Sequence, residues 1–433
     1  MKKALVILLV LAVAGGAFAQ GWTFGGYLDG GVGLWKPDGD DSQARFGVIA
    51  HQANVGGPRM MFDANYANDD KTAGMNIRFR SQGNPSAWAA ASGGQLHMRY
   101  AYGWVTALEG LLRAEGGRIQ ATPFDSLDPI SGENIFDAYG VLGYVKPHEF
   151  VTVGGGAGSM FGMNQTVSSA QGVTPAPANQ NFLERGIGYF GFNVLVPDTM
   201  RLNAALRMSN WRVGAYREEN TLTRVVSRFG QEAHMQSRAA LGFSFLGVKD
   251  VSLVLQGILR GLDQFSDFGQ IHFYEYFAFR GIENLSINLA LTQAVAQYDK
   301  NSKGDSADLY FRGWFWLTYA LNDGGILPRL DFNYVMAGKY AAGYGFGFTS
   351  SYTDDGSFSS SCYTFDKDHS FMTVSPSIAF RVNPNCFFEL GYFLGVDMSS
   401  GDDGSAAKVK KVAIGGKQGG ISHGAFTGVK VSF

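Results

Sequence analysis

Gly419–Phe433 reads GGISHGAFTGVKVSF and ends on an aromatic residue. From Gly424 onward the residues alternate between two faces. One face carries Ala425, Thr427, Val429, Val431 and Phe433, and the other carries Gly424, Phe426, Gly428, Lys430 and Ser432. A period of two is typical of a β-strand. The more apolar face suits a strand that lies against hydrocarbon and ends at a membrane interface.

The opposite end of the chain predicts export. Lys2 and Lys3 form a short basic region, which precedes the apolar run Ala4–Ala14 and small residues at Ala17 and Ala19. This order is typical of a secretory signal peptide, with cleavage predicted after Ala19. No later segment approaches the ~18 to 20 uncharged apolar residues that a transmembrane helix requires. A membrane location would therefore require a barrel.

The composition is unusual for a soluble enzyme. The chain has 59 glycines, 14% aromatic residues and 17% charged residues, whereas soluble domains average ~7% glycine and ~25% charged residues. Mean hydropathy is −0.04, which fits strands with one face in lipid and one in water. The net charge of −2 gives no support for nucleic-acid binding.

Alternating runs of about ten residues or slightly more fill the rest of the chain, as in membrane barrels. Short gaps rich in turn-forming residues lie at 68–71, 107–110, 146–149, 197–199, 247–250, 282–284, 322–325 and 383–385. Longer gaps lie at 35–57, 83–94, 120–134, 162–184, 212–232, 263–269, 299–306, 339–368 and 399–418. The eight short and nine long gaps predict an all-β fold of about 18 strands. A range of 16–20 stays open, because Arg45–Asn54 reads either as another strand or as the outer part of a long one.

The polar face of each predicted strand is expected to line the barrel interior. In 95–106, the series Met98, Tyr100, Tyr102 and Trp104 alternates with the series His97, Arg99, Ala101 and Gly103. We expect the second series to face inward. Pro376 falls inside the predicted strand 369–382, and because proline cannot donate to a strand ladder, we expect a bulge or local break there.

A final strand that ends in Phe433 resembles the closing strand of bacterial outer-membrane β-barrels, where it pairs with the first strand and serves as an assembly signal. The predicted signal peptide at 1–19, the alternation of short and long gaps and the predicted strand number together resemble the bacterial porins of the 16–18-stranded type. The resemblance covers 20–433 as one barrel domain and assigns no subfamily. It implies a bacterial outer-membrane location, contact with outer-membrane lipid and the barrel-assembly machinery, a homotrimer as one option, and passive diffusion of small hydrophilic solutes without a cofactor.

Arginines dominate the predicted lumen face. They are Arg78, Arg80, Arg99, Arg113, Arg201, Arg207, Arg238, Arg260, Arg280, Arg312, Arg329 and Arg381. The acids expected there are fewer, chiefly Glu115, Asp308, Asp331, Glu389 and Asp397. Rings of fixed charge tune ion entry, so this face predicts an anion preference. The alternative is that the arginines solvate the interior and pair with local acids.

The gap at 120–134 reads QATPFDSLDPISGEN. In porins the loop in this position commonly folds into the barrel, and the resemblance implies a constriction in which acids of the loop face wall arginines. The acids would be Asp125, Asp128 and Glu133, and the nearest arginines Arg78, Arg80, Arg99 and Arg113. Because loops mostly lie at the surface, an ordinary external loop is the favoured alternative. The gap at 162–184 is a second candidate for an inward plug.

Two other functions stay open. A structural or adhesive barrel would act through the long loops at 162–184, 212–232 and 339–368. A barrel-embedded hydrolase would use Gly420–Gly424, which matches G-x-S-x-G but leads into the terminal strand instead of a helix. No complete metal-ligand spacing is present, so we expect a non-enzymatic protein without a metal.

Aromatic residues leave one ligand question open. Tyr274, Tyr276, Trp314 and Trp316 read as belonging to mixed faces. A sugar-stacking surface is therefore an alternative to the interfacial aromatic girdles that membrane barrels carry.

Overall fold

The structure is a computed structural model that describes residues 21–36, 45–49, 59–81, 96–120, 122–125, 127, 135–136, 138–159, 186–209, 237–262, 265, 270–297, 307–337, 351–352, 358–359, 369–397 and 421–433. The predicted signal peptide lies outside these residues. Within them, no helix is both long and apolar enough to cross a membrane.

The described chain is built from β-strands. They are β1 (Trp22–Lys36), β2 (Arg45–Ile49), β3 (Arg59–Ala67), β4 (Ala73–Ser81), β5 (Leu96–Ala107), β6 (Leu112–Ile119), β7 (Ala138–His148), β8 (Val151–Ser159), β9 (Gly186–Val196), β10 (Met200–Ser209), β11 (Arg238–Phe245), β12 (Val251–Arg260), β13 (Gln270–Ile282), β14 (Leu285–Gln297), β15 (Ala307–Tyr319), β16 (Ile326–Ala337), β17 (Ser351–Tyr352), β18 (Phe358–Ser359), β19 (His369–Asn383), β20 (Cys386–Asp397) and β21 (Ile421–Ser432). A 3-10 turn at Leu108–Gly110 joins β5 to β6.

The strands close into one antiparallel barrel. The first strand aligns with the last, from Tyr27 opposite Ser432 to Lys36 opposite His423. On its other edge, β1 pairs with β3 in its first half and with β2 in its second half. β2 and β3 therefore share one position in the ring, and Arg45–Ile49 is the outer part of a long strand. The predicted count of 18 strand positions is confirmed, while β17 and β18 form a separate pair.

All eight predicted short turns join neighbouring strands. Several contain a residue with positive φ, such as Asp198 (53°), Asp250 (64°) and Asn284 (64°), a conformation that Asn and Asp tolerate better than most residues. At the turn between β3 and β4, the Asn68 Oδ1 accepts hydrogen bonds from the backbone N–H groups of Thr72 and Ala73, at 2.8 and 2.9 Å. Turn-forming residues that are recognisable in the sequence therefore stabilise the short turns at one end of the barrel.

The outer surface is apolar. Large exposed side chains such as Val141, Phe190, Leu241 and Phe273 alternate along their strands with residues that face inward. A soluble sandwich would bury this face, whereas a membrane barrel presents it to lipid. The exposed apolar surface therefore supports the membrane interpretation.

Pro376 interrupts one ladder as the sequence predicted. The pairing between β19 and β20 leaves out Ser375 and Pro376 and resumes at Ser377 in the same register. The missing proline N–H explains the break. No bulge occurs at that point, and the register shift between these strands begins at Arg381 instead.

The predicted inward face of β5 is wrong from Arg99 onward. Tyr100 aligns with Arg78, while the next pair joins Met98 to Phe79, so Arg99 is the extra residue of a β-bulge. The Arg78 guanidinium lies 5.1 Å from the Tyr100 ring centre, and the same face continues along β5 to Trp104, whose ring centre lies 4.4 Å from the Arg113 guanidinium. Tyr100, Tyr102 and Trp104 therefore face inward. Aromatic side chains can line the interior here because they contact arginine side chains there.

Candidate functional site

A segment between β6 and β7 folds into the barrel. We call the described residues of this stretch, 122–125, 127 and 135–136, the inserted segment. Phe124, Ile135 and Phe136 are fully buried, which is possible only if the segment packs against the interior wall. For the described residues 122–125 and 127, the contacts with the interior wall agree with the inward alternative for 120–134 and disagree with the favoured external loop.

Aromatic side chains hold the segment on β7 and β9. The Phe124 ring packs edge-on against Tyr144, with ring centres 6.0 Å apart, and lies 6.3 Å from Tyr189. Phe136 approaches the same Tyr189 ring at 5.1 Å. One wall tyrosine therefore contacts both ends of the inserted segment, and the aromatic contacts stabilise its position.

Glycines create the space for Phe124. A Cβ atom on Gly191 would lie 2.6 Å from the Phe124 Cγ, and one on Gly154 would lie 3.0 Å from its Cε2. These glycines align opposite each other on β9 and β8. The Phe124 ring can pack here only because the wall lacks side chains at these two positions. This contact explains why β8 has a glycine at position 154.

Four polar side chains tether the backbone of the segment. The Arg201 Nη2 donates to the Pro123 carbonyl at 2.9 Å, and the Arg207 Nη1 donates to the Ile135 carbonyl at 3.0 Å. The Asn203 amide donates to the Asp125 carbonyl. The Leu127 N–H donates to the Gln256 Oε1 at 2.9 Å. These tethers come from β10 and β12, so the segment spans from β7 across to β12.

Asp125 closes the segment on itself. Its carboxylate accepts the backbone N–H of Thr122 at 2.6 Å and that of Ile135 at 2.8 Å, while the Thr122 hydroxyl contacts the Tyr189 hydroxyl at 2.9 Å. Burial raises the pKa of Asp125 to about 7, because desolvation outweighs the hydrogen bonds that favour its charged form. Asp125 is therefore a structural clamp within the segment, whereas the porin resemblance implied a row of loop acids facing wall arginines. The other two acids assigned to that row, Asp128 and Glu133, lie outside the described residues.

The arginines on β4 and β6 pair with acids of the wall. The Arg78 Nε and Nη2 donate to the two carboxylate oxygens of Asp63 at 2.5 and 2.8 Å, and the Arg113 Nη2 lies 2.8 Å from the buried Glu115 Oε1. Arg80 occupies the next inward position of β4, aligned with Met61. At Arg78 and Arg113, the pairing with wall acids agrees with the alternative that the lumen arginines pair with local acids.

Arg113 nevertheless reaches the space beneath the inserted segment. A cavity of about 740 Å³ at the short-turn end is lined by Arg113, Pro123, Tyr144, Lys146 and Thr152, among others. Pro123 belongs to the segment, and the remaining residues belong to the wall. The segment and Arg113 therefore border one interior space, although they do not form the direct acid–arginine row that the sequence suggested.

Three other arginines form a row across β10, β11 and β12. Arg207 aligns with Arg238, which aligns with Arg260. Of these, Arg207 is almost completely buried and bonds to the inserted segment. The row follows one level of the interior wall, because residues aligned across antiparallel strands point to the same face.

The predicted positions on β15 and β16 form a further polar group. Arg329 makes two bonds to Asp331, at 2.5 and 2.7 Å, and the Arg312 Nη2 donates to the Asn333 Oδ1 at 3.2 Å. The Trp314 Nε1 also donates to Asp331, at 3.0 Å. Arg312 and Arg329 are thus held by neighbouring side chains.

Sequence reasoning missed several residues that build the site. Asp63, which pairs with Arg78, shares an inward face with Asn65, so the alternation along β3 carried a usable signal. Tyr189, Asn203 and Gln256 carried no such signal for their roles, because their partners lie 67, 78 and 129 residues away in sequence.

The hydrolase motif has no catalytic setting in the described structure. Gly420 lies outside the described residues, and Ser422 and His423 lie within β21. The His423 ring is 6.0 Å from Tyr392. A nucleophile elbow requires a strand, a sharp turn and a helix, and the described part of β21 continues as a strand to Ser432. Among the described residues, no group of three or more His, Cys, Asp or Glu side chains is placed to hold a metal.

No protein-family model matches the sequence, and no curated protein matches it. Solved structures do match over nearly the whole chain. The anion-selective porin from Comamonas acidovorans is 11% identical, with 95% of this chain and 99% of that chain covered and a TM-score of 0.48. Pseudomonas aeruginosa OccK11 (OpdR) is 8% identical, with 96% and 98% covered and a TM-score of 0.47. Pseudomonas aeruginosa OpdQ is 7% identical, with 95% and 98% covered and a TM-score of 0.46.

The described strands themselves form a closed antiparallel ring of 18 strand positions with short turns at one end. A barrel of this size is wide enough to hold an aqueous path, which smaller barrels fill with side chains.

Proposed function

We propose that the protein is a non-enzymatic outer-membrane channel for passive diffusion of small hydrophilic solutes, with a preference for anions. The observation that supports this proposal best is the inserted segment. A barrel of 18 positions is wide enough for a water-filled lumen, and the tethers from Arg201, Asn203, Arg207 and Gln256 hold the segment to one side of the wall. A segment held in this way narrows a channel and selects by size.

The anion preference rests on the chemistry of the wall. The bond that Arg201 makes to the segment goes to a neutral carbonyl, so this contact does not cancel the guanidinium charge. Arg207, Arg238 and Arg260 place three further guanidinium groups at one level of the same wall. Fixed cations near a narrow aqueous path raise the local concentration of anions. The porin fold, the predicted signal peptide and Phe433 at the end of β21 support outer-membrane insertion through the barrel-assembly machinery.

The test is single-channel conductance of the refolded mature protein in a planar lipid bilayer, with a salt gradient across the membrane. Stepwise ohmic openings with an anion-selective reversal potential would support the proposal. Arg201→Gln should weaken the anion selectivity, while Glu275→Gln, which changes one charge on the outer face of β13, should leave it unchanged. A silent bilayer, with folding verified by heat-modifiable gel mobility, would contradict the channel and favour the adhesive alternative.

A further inference from the structure

Strained turn residues line one cavity of the barrel. Among the described residues, eight other than glycine have a positive φ, and five of them are Asn or Asp, which tolerate this conformation. The other three are Lys71, Leu108 and Glu109, with φ of 52°, 51° and 56°. All three line the cavity of about 740 Å³ at the short-turn end. Backbone strain of this kind is concentrated at functional sites, so it points to a use for these three side chains.

Opposite charges surround this cavity. Asp70 and Lys71 belong to the turn between β3 and β4, Glu109 belongs to the turn between β5 and β6, and Lys146 lies near the turn between β7 and β8. All four side chains are exposed. Within the part of the chain that the structure describes, none of the four makes an ion pair or a side-chain hydrogen bond. The cavity therefore offers two carboxylates and two ammonium groups to a ligand.

An apolar surface lies beside these charges. Leu108 is 66% exposed and Leu111 is 39% exposed, and both line the cavity together with Pro123 of the inserted segment. Leu108 directly precedes Glu109, so one turn presents an apolar side chain next to a carboxylate. Hydroxyl groups that can bond to a peptide backbone complete the lining, at Thr72, Thr106, Tyr144 and Thr152.

The spacing of the turns limits the length of the ligand. Neighbouring strands lie about 4.8 Å apart, so Lys71 and Lys146 lie on turns about 10 Å to either side of the turn that carries Glu109. An extended peptide rises about 3.4 Å per residue, so about three residues separate an amino end from a carboxyl end by this distance. A free amino acid carries both charged groups on one carbon atom and is too short to reach both turns.

The aromatic residues of β13 and β15 do not favour a sugar instead. Tyr276, Trp314 and Trp316 all face the interior, so the expectation that they belong to mixed faces is wrong. The two tryptophan ring centres lie 4.5 Å apart, and the guanidinium groups of Arg312 and Arg329 lie 5.1 and 5.9 Å from them. These contacts cover the ring faces on which a sugar would stack.

We propose that the cavity at the short-turn end is a binding subsite for a short peptide of about three residues with free ends and an apolar side chain. The ammonium group of the peptide faces Glu109, its carboxylate faces Lys71 or Lys146, and its side chain packs on Leu108. This inference rests on the proposed channel function, because the cavity lies at one mouth of the lumen. A peptide bound there narrows the mouth, so its binding is measurable as a block of the ion current.

The experiment adds the tripeptide Ala-Leu-Ala to the bilayer chamber and records the current through single channels. The tripeptide should block the current in a saturable way, whereas its acetylated and amidated form and free leucine should not. Glu109→Gln should raise the half-blocking concentration about threefold, as expected for one exposed ion pair. Asp250→Asn is the matched control, because it removes a carboxylate from another short turn with positive φ, away from the cavity.

Leu108→Asn separates binding from folding. Asparagine tolerates a positive φ better than leucine, so this variant should unfold in urea at the same concentration as the wild type or at a higher one. It also removes the apolar side chain, so the half-blocking concentration should rise about threefold. An unchanged block in a channel of this stability would overturn the contact with Leu108.

The outcomes separate the two proposals. Open channels without a saturable block by Ala-Leu-Ala would overturn the subsite and leave the channel intact. An equal block by the capped peptide, or an equal effect of Glu109→Gln and Asp250→Asn, would also overturn it. If no channels open, equilibrium dialysis of labelled Ala-Leu-Ala with the refolded protein in detergent still tests the subsite. Binding that Glu109→Gln weakens would then support it, and absence of binding would overturn it.

Discussion

Phe124 lies with its ring against the backbone of Gly191, so close that a Cβ atom on the glycine would sit 2.6 Å from the Phe124 Cγ. The contact involves the base of the phenylalanine side chain, which cannot move unless the backbone of the inserted segment moves with it. The size of residue 191 therefore decides whether the segment can seat on β9.

Gly191→Ala should displace the segment from the wall. We expect an altered single-channel conductance with larger fluctuations, because Phe124 loses its seat while the barrel ladder is retained. The matched control is Gly188→Ala on the same strand, where a Cβ atom would meet nothing within 4 Å. Equal conductance in both variants and in the wild type would show that the seat does not position the segment.

Asp125 makes the segment sensitive to pH. Its pKa is raised from 3.8 to about 7, so seating favours the protonated form. The resulting stability is fully present below the ordinary pKa and is lost as pH rises through about 7. Among the described residues, the charged groups that bond to the segment are Arg201, whose Nη2 donates to the Pro123 carbonyl, and Arg207, whose Nη1 donates to the Ile135 carbonyl; Tyr189 packs against the segment as well.

Channel fluctuations in the wild type should therefore increase between pH 5 and pH 8. Asp125→Asn cannot ionise, so it should remove this pH dependence; its single amide oxygen keeps an acceptor for only one of the two backbone N–H groups of Thr122 and Ile135. The measurement is the open-channel noise of single channels across that range. The same pH dependence in Asp125→Asn would assign it to another group.

The sequence predicted most of the barrel because strand alternation and turn chemistry are local. Eighteen positions and eight short turns follow from residues within a few positions of one another, whereas the closure of β1 on β21 joins the two ends of the chain and was implied by the resemblance to outer-membrane barrels. The inward face of β5 was misjudged because Tyr100 and Trp104 are both apolar and able to contact arginines. A polarity rule cannot tell such residues from lipid-facing ones.

The site was less predictable because its contacts join distant residues. Asn203 meets Asp125 across 78 residues, and Gln256 meets Leu127 across 129. A sequence with no visible covariation contains no signal for such a pair. The role of Gly191 could not be predicted for a similar reason. This position requires glycine because the Phe124 side chain, which comes from another part of the chain, packs against its backbone.

The negative charge of Asp63 is expected to lower the anion-to-cation permeability ratio of the channel. Its carboxylate pairs with Arg78 on the interior wall, so Asp63→Asn removes one negative charge and leaves the guanidinium uncompensated. A unit charge about 8 Å from an ion in water contributes about 0.5 kcal/mol, which corresponds to roughly a twofold change in local ion concentration. The same potential lowers the local cation concentration by a similar factor, so the anion-to-cation permeability ratio should rise roughly fourfold.

The measurement is the reversal potential in a salt gradient. Glu275→Gln is the control, since it makes the same change in charge on the lipid-facing side. A shift of equal size in both variants would mean that net charge, and not the position of Asp63 on the lumen wall, sets the selectivity.

Glu275 is the one carboxylate on the outer face among the strand residues that the structure describes. It is aligned between Leu255 and Leu291 on the neighbouring strands, and the Gln293 Nε2 donates to its Oε1 at 3.4 Å. Its position near the middle of β13 places it at the depth of the hydrocarbon core, where ionisable side chains are costly. Glu275→Leu should therefore raise the free energy of unfolding by about 1 to 2 kcal/mol.

The measurement is urea unfolding of the barrel in lipid vesicles, followed by tryptophan fluorescence. Leu241→Glu provides the opposite change at an exposed outer position of β11 and should lower the free energy of unfolding. Conductance should be unchanged in Glu275→Leu, because the side chain faces away from the lumen. A lower stability in Glu275→Leu would show that the bond to Gln293 contributes more to holding β13 and β14 together than burial of the carboxylate costs.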